Sequence, residues 1–483
     1  MNFFKSFLQS KIFLLILSIF VSYFLLPPFF ILVAAPLYIY HRIVTFLSKW
    51  KKELYEPLTN DDCIHATDDI HGRPSGSISG VVHLKGSHTF DELVNKLEKV
   101  AAEYPKSRCI ITRWMSVKFW KKCKDFKISN HVSLNEESDP EKVSQFLTSL
   151  IDKGFPVGQP LWEFISLPNY AHAEYGTSSA IAMRVHHSLG DGLGFMAIIR
   201  DLCDKDPAAD EEVEKMLKAI RKKMNLNFWR RISYVFQLIF ITPAQSVYLW
   251  LQGINSPCIP PSSNHDPNCD SDGTINVSNL IDLTLLKRIS KKTGANVTSV
   301  VHAGVAGAVR RTILERGGDT EGNVVANYIL PKLNHPGTLS NNVFPVPLFT
   351  PMSEQNRFQR LTQISKQLDQ LFCTPLPIGM MLCIHTLGPF FGPIRQMKHN
   401  TFTYIHTNFA YFGEPMKMFG NILERSVLAP GLQFNGNPLL VVTSSYHGKL
   451  GLQLVGDRKF FPDEESLMRV ANYVKDEFES MDG

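Results

Sequence analysis

The chain has 483 residues, of which 44% are hydrophobic and 20% are charged, and its formal net charge at pH 7 is +5. This length exceeds the size at which a single hydrophobic core stops growing, so it predicts two packed domains with appendages, and the composition excludes a disordered or fibrous chain. The mild positive charge is not gathered into the basic stripe that a nucleic-acid groove requires, which argues against nucleic acid as a partner.

The first predicted element is an apolar stretch from Ile12 to Tyr40 that contains no charged residue. It is long enough for one tilted transmembrane helix, and Pro27-Pro28 near its middle allows a re-entrant hairpin instead. Basic residues flank both ends, from Lys5 before it to Arg42 after it, so the charges favour no single orientation. We predict a membrane anchor; a cleaved signal peptide is the alternative, which the length of the run and the lack of a cleavage site disfavour.

The next elements predict a strand, a helix and a second strand that ends at a pair of histidines. Gly80 to Leu84 alternates like a strand, and Asp91 to Glu103 has apolar residues at helical spacing after Thr89, a residue type that caps helices. Ala180 to Val185 is a short apolar run that ends at the histidines, and Phe195 to Leu202 beyond them has a helical pattern. The histidines therefore lie on a strand-to-helix turn, where catalytic side chains are often exposed.

The middle of the chain contains a second apolar region and a polar linker. Phe228 to Leu251 mixes aromatic and aliphatic residues with Arg230 and Arg231, a pattern that fits an interfacial helix and a buried core helix about equally well. Ser256 to Gly273 is rich in Pro, Ser, Asn and Asp, which predicts a linker between two domains.

The last part of the chain again mixes helices with strands. Leu283 to Gly294 has a helical pattern, and Val297 to Arg311 predicts a helix of small residues that packs closely against a neighbour. Strand-like runs follow at Val324 to Leu330, Leu439 to Ser445 and Leu450 to Val455. Strands and helices in both halves of the chain predict an α/β fold with α+β layers.

The segment His186-His187-Ser188-Leu189-Gly190-Asp191-Gly192 is the strongest candidate for chemistry. The pKa of histidine is near neutral, so one imidazole can take a proton from an attacking hydroxyl and return it to a leaving thiolate. Asp191 follows His187 by four residues across a turn, where a carboxylate can orient the imidazole or brace the loop. Gly192 allows a close approach of backbone.

Two other interpretations of this segment are a structural histidine pair in the core and a metal site formed by His186, His187 and Asp191. Imidazole and carboxylate are ordinary zinc ligands, but no further histidine motif completes the set. A lone histidine is structural more often than catalytic, so the surrounding segments decide between these interpretations.

The segment resembles the HHxxxDG motif of the CoA-dependent acyltransferases, in particular that of the bifunctional wax ester synthase/diacylglycerol acyltransferase family. Other segments that resemble this family cover most of the chain after the anchor: Pro160-Leu161-Trp162, Leu339-Ser340-Asn341-Asn342, Pro345-Val346-Pro347-Leu348, Thr407-Asn408 and Ser445-Tyr446-His447-Gly448-Lys449-Leu450. One position departs from the family pattern, because Thr298-Ser299 stands where an Asn-Asp pair is usual. The hydroxyl groups of this pair can still cap the helix that begins there.

The resemblance implies two chloramphenicol-acetyltransferase-like subdomains with a tunnel between them, which acyl-CoA and the acceptor enter from opposite faces. It implies that His187 is the general base, that Asp191 is structural and paired with an arginine, and that His186 supports the turn. Asn408 or Ser444 is the expected oxyanion donor. No metal is expected, because His187 would work as an organic base, and no cofactor is expected, because acyl-CoA is a co-substrate.

The expected organisation is a membrane anchor over residues 1–52, an N-terminal subdomain with the motif over 53–225, a crossover or linker with a candidate interfacial helix over 226–273, and a C-terminal subdomain over 274–483. The expected reaction transfers a fatty acyl group from acyl-CoA to a long-chain alcohol or to diacylglycerol, and the sequence leaves both acceptors open. The expected location is the endoplasmic reticulum membrane with a cytosolic catalytic region, or else the plasma membrane. The alternatives are an acyltransferase for another hydrophobic alcohol and an inactive lipid-binding protein of the same fold.

Overall fold

The computed structural model describes residues 10–207, 211, 227–254, 256–262, 273–321, 323–332, 335–371, 374–387, 402–410, 415–432 and 437–483. Some parts of the sequence predictions lie outside these residues. They include Lys5, residues 208–210 and 212–225 at the end of the expected N-terminal subdomain, and residues 263–272 of the expected linker.

Strands alternate with helices in both halves of the chain. The strands of the first half are β1 (Leu54–Pro57), β2 (Ser77–Leu84), β3 (Cys109–Trp114), β4 (Val117–Lys122), β5 (Val132–Leu134), β6 (Trp162–Leu167) and β7 (Ser179–His186). Those of the second half are β8 (Thr274–Asp282), β9 (Asn323–Pro331), β10 (Val343–Pro351), β11 (Tyr404–Ala410), β12 (Lys417–Met418), β13 (Asn421–Pro430), β14 (Leu439–Tyr446) and β15 (Lys449–Asp457). Every strand expected from the sequence is among them, and the predicted α/β fold is confirmed.

The described strands form two six-stranded sheets and one three-stranded sheet. The N-terminal sheet has the order β12-β13-β2-β7-β6-β5, and the C-terminal sheet has the order β10-β9-β11-β14-β15-β8. The small sheet, β1-β4-β3, packs on the N-terminal core through Cys109 and Trp120. Each half of the chain is therefore built around a sheet of its own.

Two strands, β12 and β13, belong to the second half by sequence and to the N-terminal sheet by pairing. β13 runs antiparallel to β2, from Leu423 opposite Leu84 to Pro430 opposite Ile78. Apart from these two strands, the described strands from β8 onward lie in the C-terminal sheet, and those before it lie in the N-terminal and small sheets. Backbone hydrogen bonds across this exchange tie the halves together.

The helices begin and end at residues whose chemistry explains the boundary. Phe90–Glu103 begins after Thr89, which forms a reciprocal capping box with Glu92. Leu283–Thr293 ends at Gly294, whose φ of 73° suits glycine. The other α-helices after the N-terminal stretch are Asn60–His65, Pro140–Asp152, Gly192–Leu202, Phe228–Phe240, Thr242–Ile254, Val297–Glu315, Arg357–Leu371, Leu376–Leu387 and Glu464–Asp482.

The small-residue helix Val297–Glu315 lies in the core of the C-terminal half, where it packs against Glu464–Asp482. A side chain at Gly304 would lie 2.2 Å from the ring of Phe478. The close packing predicted for this helix is therefore confirmed, because the two helices approach at a distance that only a glycine permits.

The apolar N-terminal stretch is one continuous helix of 38 residues, Lys11–Ser48. The chain does not turn back at Pro27-Pro28, so of the two expected forms the structure has the single helix and not the hairpin. Both prolines lie at the start of the helical segment Leu26–Phe29. Wider π-helical turns at Val21–Leu25 and Phe30–Ala34 flank them and accommodate the missing backbone donors.

The second apolar region forms two helices, Phe228–Phe240 and Thr242–Ile254, which are bent by 55° at their junction. The first has no buried residue. The second buries Ala244 and Leu249, and Leu249 belongs to the core of the C-terminal half. The core interpretation therefore describes the second helix, while the first helix contributes none of its residues to that core.

Candidate active site

The motif lies where β7 leaves the N-terminal sheet and the helix Gly192–Leu202 begins. β7 is buried along its whole length, and its residues are apolar except for Ser179, Arg184 and His186. The His187 amide donates to the Gly76 carbonyl at 2.8 Å, and Asp191 caps the following helix through the amides of Leu193 and Gly194. Strand pairing and capping therefore hold the turn at both ends.

The His187 ring is oriented by Asn341, a buried residue of the other half of the chain. Its Nδ1 is 3.0 Å from the Asn341 Oδ1. The Asn341 Nδ2 donates to the Asp62 Oδ1 and to the His187 carbonyl, both at 2.8 Å, so the Asn341 Oδ1 is the acceptor. The Nδ1 of His187 must then carry the proton, which leaves a lone pair on Nε2. His187 needs this tautomer to act as a general base, because the proton is accepted by the lone pair on Nε2.

Behind Asn341, the Asp62 carboxylate is held by a buried ion pair. The Lys106 Nζ lies 3.0 Å from the Asp62 Oδ2, and the same ammonium lies over the Trp120 ring at 4.8 Å. A line of polar groups thus runs from Lys106 through Asp62 and Asn341 to the His187 imidazole. Each member has a fixed partner, which is how a second layer of residues orients a reactive side chain.

Burial and stacking act on the same imidazole. The ring of His65 stacks on the ring of His187 with centroids 3.9 Å apart. Burial lowers the pKa of His187 below its ordinary value, while the nearby carboxylate of Asp191 and the hydrogen bond that His187 donates to Asn341 oppose this shift only in part. The imidazole is therefore neutral at physiological pH, the state in which it can accept a proton.

Asp191 joins the motif to the segment 335–342. Its carboxylate accepts from the Asn342 amide at 2.7 Å and from the His335 Nε2, which lies 3.0 Å from both oxygens. The Gly337 amide donates to the His335 Nδ1, so the proton of His335 is on Nε2. The expected arginine partner of Asp191 is therefore wrong for the described residues, because His335 takes its place.

We expect Asp191→Asn to lower the melting temperature more than His187→Ala does. The buried carboxylate accepts hydrogen bonds from backbone amides and from His335, and an amide in its place would turn a donor towards some of these donors, at a cost of about 1–3 kcal/mol. Thermal unfolding followed by circular dichroism measures both variants against the wild type. A larger fall for His187→Ala would contradict this role of Asp191.

His186 and the segment Pro160-Leu161-Trp162 stabilise the turn that carries His187. The ring of His186 is fully buried between Ser188 and Asp68, at 2.8 Å and 3.3 Å. The His186 amide donates to the Leu161 carbonyl, and the indole of Trp162 donates to the Ser107 carbonyl. These residues hold the end of β7 against β6.

Gly192 lies where the two halves touch. A Cβ atom at this position would be 2.6 Å from the Phe409 ring at the end of β11. The glycine therefore allows the C-terminal sheet to approach the motif, as its sequence position suggested.

The two candidate oxyanion donors lie on opposite faces of the C-terminal sheet. Asn408 hydrogen-bonds Thr443 at 2.9 Å and Thr298 at 3.4 Å on the helix side of the sheet. Ser444 is paired in register with Phe409, so its side chain shares the face that meets Gly192. The structure thus places Ser444, and not Asn408, on the side of the motif.

Sequence reasoning assigned no role to four residues that surround the two histidines and Asp191: Asp62, His65, His335 and Asn341. Asn341 was recognised only as part of a family segment. His186, His187 and Asp191 point to separate partners, and the described residues contain no group of three or more His, Cys, Asp or Glu placed to hold a metal ion.

Comparisons with known proteins bear on the identity of this site. Residues 78–243 match the profile of the wax ester synthase/diacylglycerol acyltransferase catalytic domain. The fold is similar to that of the wax ester synthase/diacylglycerol acyltransferase from Marinobacter aquaeolei VT8, at 15% identity and a TM-score of 0.57 over 88% of this chain and 98% of that chain. Comparison with curated protein sequences gave no significant match.

Two further solved structures share the fold at low identity. The trichothecene 15-O-acetyltransferase TRI3 from Fusarium sporotrichioides is 8% identical, with a TM-score of 0.61 over 88% of this chain and 94% of that chain. The first condensation domain of the CDA synthetase is 14% identical, with a TM-score of 0.58 over 88% of this chain and 95% of that chain. The comparisons thus identify a wax ester synthase/diacylglycerol acyltransferase catalytic domain over residues 78–243 of this chain.

Proposed function

We propose that this acyltransferase moves a fatty acyl group from acyl-CoA to a long-chain alcohol or to diacylglycerol, with His187 as general base. The observation that carries the proposal is the tautomer of His187. Its Nδ1 proton is held by Asn341, so the lone pair on Nε2 is available to a hydroxyl group.

In the proposed reaction the His187 Nε2 takes the hydroxyl proton as the alcohol oxygen attacks the thioester carbonyl. A new C–O bond forms, and the carbonyl π electrons move to the oxygen of a tetrahedral intermediate. When the intermediate collapses, the C–S bond breaks and the thiolate of CoA receives the same proton from Nε2. The base returns to its starting state, so neither an external proton nor a nucleophilic serine is required.

An oxyanion donor is needed while the intermediate exists, and we assign this role to Ser444. Its hydroxyl lies on the sheet face that meets Gly192, while Asn408 is engaged with Thr443 on the other face. A tunnel between the two halves, with acyl-CoA entering from one side and the acceptor from the other, remains part of the proposal.

We further propose that the protein works at a membrane, with its catalytic region in the cytosol. The helix Lys11–Ser48 is long and apolar enough to associate with a bilayer. Among the described cysteines, Cys63, Cys109, Cys123 and Cys203 are free thiols, which suits a reducing compartment. The endoplasmic reticulum is the proposed membrane, with the plasma membrane as the alternative.

The direct test is an assay of the full chain in membranes with labelled palmitoyl-CoA. Hexadecanol and dioleoylglycerol are offered separately, and the products are resolved by thin-layer chromatography while free CoA is measured. Formation of a wax ester, of triacylglycerol or of both supports the proposal and identifies the acceptor. If neither acceptor gives an ester from protein that remains folded, the proposed acceptors are wrong.

The rate of ester formation is expected to rise with pH through an apparent pKa below 6.5. Only the neutral imidazole accepts a proton, and burial lowers the pKa of His187, so the acid limb lies below that of an exposed histidine. The measurement is turnover at saturating substrate between about pH 4.5 and about pH 8. The apparent pKa is read from the acid limb of this profile. An apparent pKa above 6.5 would contradict the proposed state of His187.

Chelation of divalent metal ions is expected to leave turnover unchanged. The chemistry proposed for His187 needs only its own lone pair, and His186 is occupied by Ser188 and Asp68. Turnover is compared before and after dialysis against EDTA. Zinc present in stoichiometric amount in the purified protein, and lost in His186→Ala, would support the metal interpretation instead.

A further inference from the structure

The N-terminal helix is attached to the folded body at both of its ends. Near its start, Leu14 and Ser18 are buried where the helix packs against Thr242–Ile254. The hydroxyl of Tyr23 donates to the Phe240 carbonyl at 2.5 Å. Since Thr242–Ile254 contributes Leu249 to the C-terminal core, the first half of the N-terminal helix lies along the C-terminal half of the protein.

Near its end, the same helix packs on the N-terminal half. Val44 is completely buried in a small cluster with Val117 and Phe119 of β4. The hydroxyl of Tyr40 donates to the Met115 carbonyl at 3.0 Å. One helix thus spans the surface of both halves.

This arrangement is not compatible with a helix that crosses a bilayer. Leu14 and Val44 are separated by about 45 Å of helix at 1.5 Å per residue, which exceeds the hydrocarbon thickness of about 30 Å. If the helix crossed the membrane, its two contact points would lie on opposite sides, although both belong to one folded body. A helix with both ends on the same body runs along the surface of that body rather than away from it.

The side of the N-terminal helix turned away from the body is almost entirely apolar. Among its exposed side chains, Ile12 and Leu32 are each 73% exposed and Ile31 is 70% exposed. Its three serines, Ser18, Ser22 and Ser48, face the protein instead. A surface helix in water has its polar side chains outside and its apolar side chains against the protein. The opposite arrangement in this helix suits contact with lipid.

The helix Phe228–Phe240 continues this apolar side. None of its residues is buried, and Trp229 is 75% exposed, while Phe236 and Ile239 are also exposed. The Tyr23 hydrogen bond to Phe240 joins the two helices, so their exposed faces adjoin. We call this combined surface, formed by the exposed side chains of Lys11–Ser48 and Phe228–Phe240, the apolar platform.

Basic and tryptophan side chains stand at the margins of the platform. Arg230 and Arg231 follow Trp229, and Lys49 and Lys51 flank Trp50, all of them exposed. Tryptophan prefers the headgroup level of a bilayer, and basic groups are attracted to anionic lipid. This composition indicates a lipid leaflet as the occupant rather than a second protein copy, for which basic margins on both sides would repel each other.

We infer that the apolar platform docks the protein in the plane of one leaflet of a phospholipid bilayer, so that the N-terminal helix lies on the membrane without crossing it. The two ends of the helix are then on the same side as the catalytic region. The platform joins both halves of the enzyme to the membrane, so the body is held in a fixed orientation above the lipid. The inference concerns membrane geometry and holds whatever the substrates are.

The first experiment measures topology in sealed microsomes. An epitope placed before Lys11 in the full chain is expected to be digested by external protease together with the catalytic region. Protection of the epitope would overturn the inference, because it would place the N-terminus across the membrane. Solubilisation with detergent before digestion controls for an epitope that resists the protease in itself.

The second experiment distinguishes an in-plane helix from a hairpin that returns to the same side. Environment-sensitive labels are placed by Ile16→Cys, Leu32→Cys and Ile43→Cys in chains bound to vesicles of phosphatidylcholine and phosphatidylserine, and quenching by doxyl-labelled lipids gives their depth. All three labels are expected at a similar shallow depth. A label at Leu32 near the bilayer centre, with the other two shallow, would overturn the inference.

The third experiment tests whether Phe228–Phe240 is part of the same surface. The double variant Phe236→Glu/Ile239→Glu is expected to lower partitioning into these vesicles at least about tenfold, because two large apolar side chains no longer enter the leaflet. Leu314→Glu, an equally drastic change at an exposed apolar residue of another helix, is the matched control and should leave partitioning unchanged. Equal partitioning of the double variant and the control would overturn the inference. None of these measurements depends on acyl transfer.

Discussion

His187→Ala is expected to lower turnover by roughly 10²–10⁴-fold while acyl-CoA still binds. The imidazole acts on the proton of the attacking alcohol, so its removal raises the barrier of the chemical step and leaves the contacts with CoA in place. Steady-state kinetics with both acceptors, together with a titration of acyl-CoA, separates the effect on turnover from the effect on binding. The variant should therefore have a lower kcat, while its affinity for acyl-CoA stays unchanged.

A suitable control for this variant is His447→Ala, which removes a histidine whose side chain is 39% exposed. Its turnover should stay close to that of the wild type. Near-normal turnover of His187→Ala with either acceptor would refute the proposed mechanism, and so would a loss that is equally large in the control.

Asn341→Ala is expected to lower turnover by about 10²-fold, because a small misplacement of a catalytic group can cost that much. The variant removes the acceptor that holds the Nδ1 proton of His187, so the ring can rotate or change tautomer. It also removes a hydrogen bond that raises the pKa of His187, so the acid limb of the pH profile should move to lower pH. Turnover measured against pH gives both quantities.

Asn342→Ala is the matched control, since the Asn342 side chain donates to Ser340 while its backbone amide serves Asp191. Asn342→Ala should change turnover and the acid limb of the pH profile much less than Asn341→Ala does. If Asn341 had a purely structural role, Asn341→Ala would lower the melting temperature without shifting the acid limb of the pH profile. That result would show that Asn341 does not position the base.

The turn that carries His187 could be predicted because its signals are local. An apolar run, two histidines and a glycine-rich helix start lie within one short stretch, and each predicts its own element. Asp191 illustrates the limit: its role as a helix cap follows from its position, whereas its partner His335 is 144 residues away. No periodicity in the sequence encodes such a pairing.

The residues that orient the base were missed for the same reason. Asn341 is 154 residues from His187, and Asp62 is 279 residues from Asn341, so only the packed fold brings them together. The helix Lys11–Ser48 was recognised from its composition, but its attachment at Val44 and Leu14 depends on surfaces that form only when both halves have folded. The sequence leaves the hairpin open because prolines usually break helices, and no sequence pattern indicates the flanking π-helical turns.

The pairing of β13 with β2 of the N-terminal sheet determines the order in which this chain can fold during synthesis. β2 pairs with β7 on one side, but its other side pairs with β13, which ends at Pro430 of a chain of 483 residues. Until that strand leaves the ribosome, β2 presents an open apolar edge, the feature by which nascent chains aggregate. A fragment limited to residues 78–243 would keep this edge open permanently, so the catalytic motif depends for its solubility on almost the last part of the protein to be made.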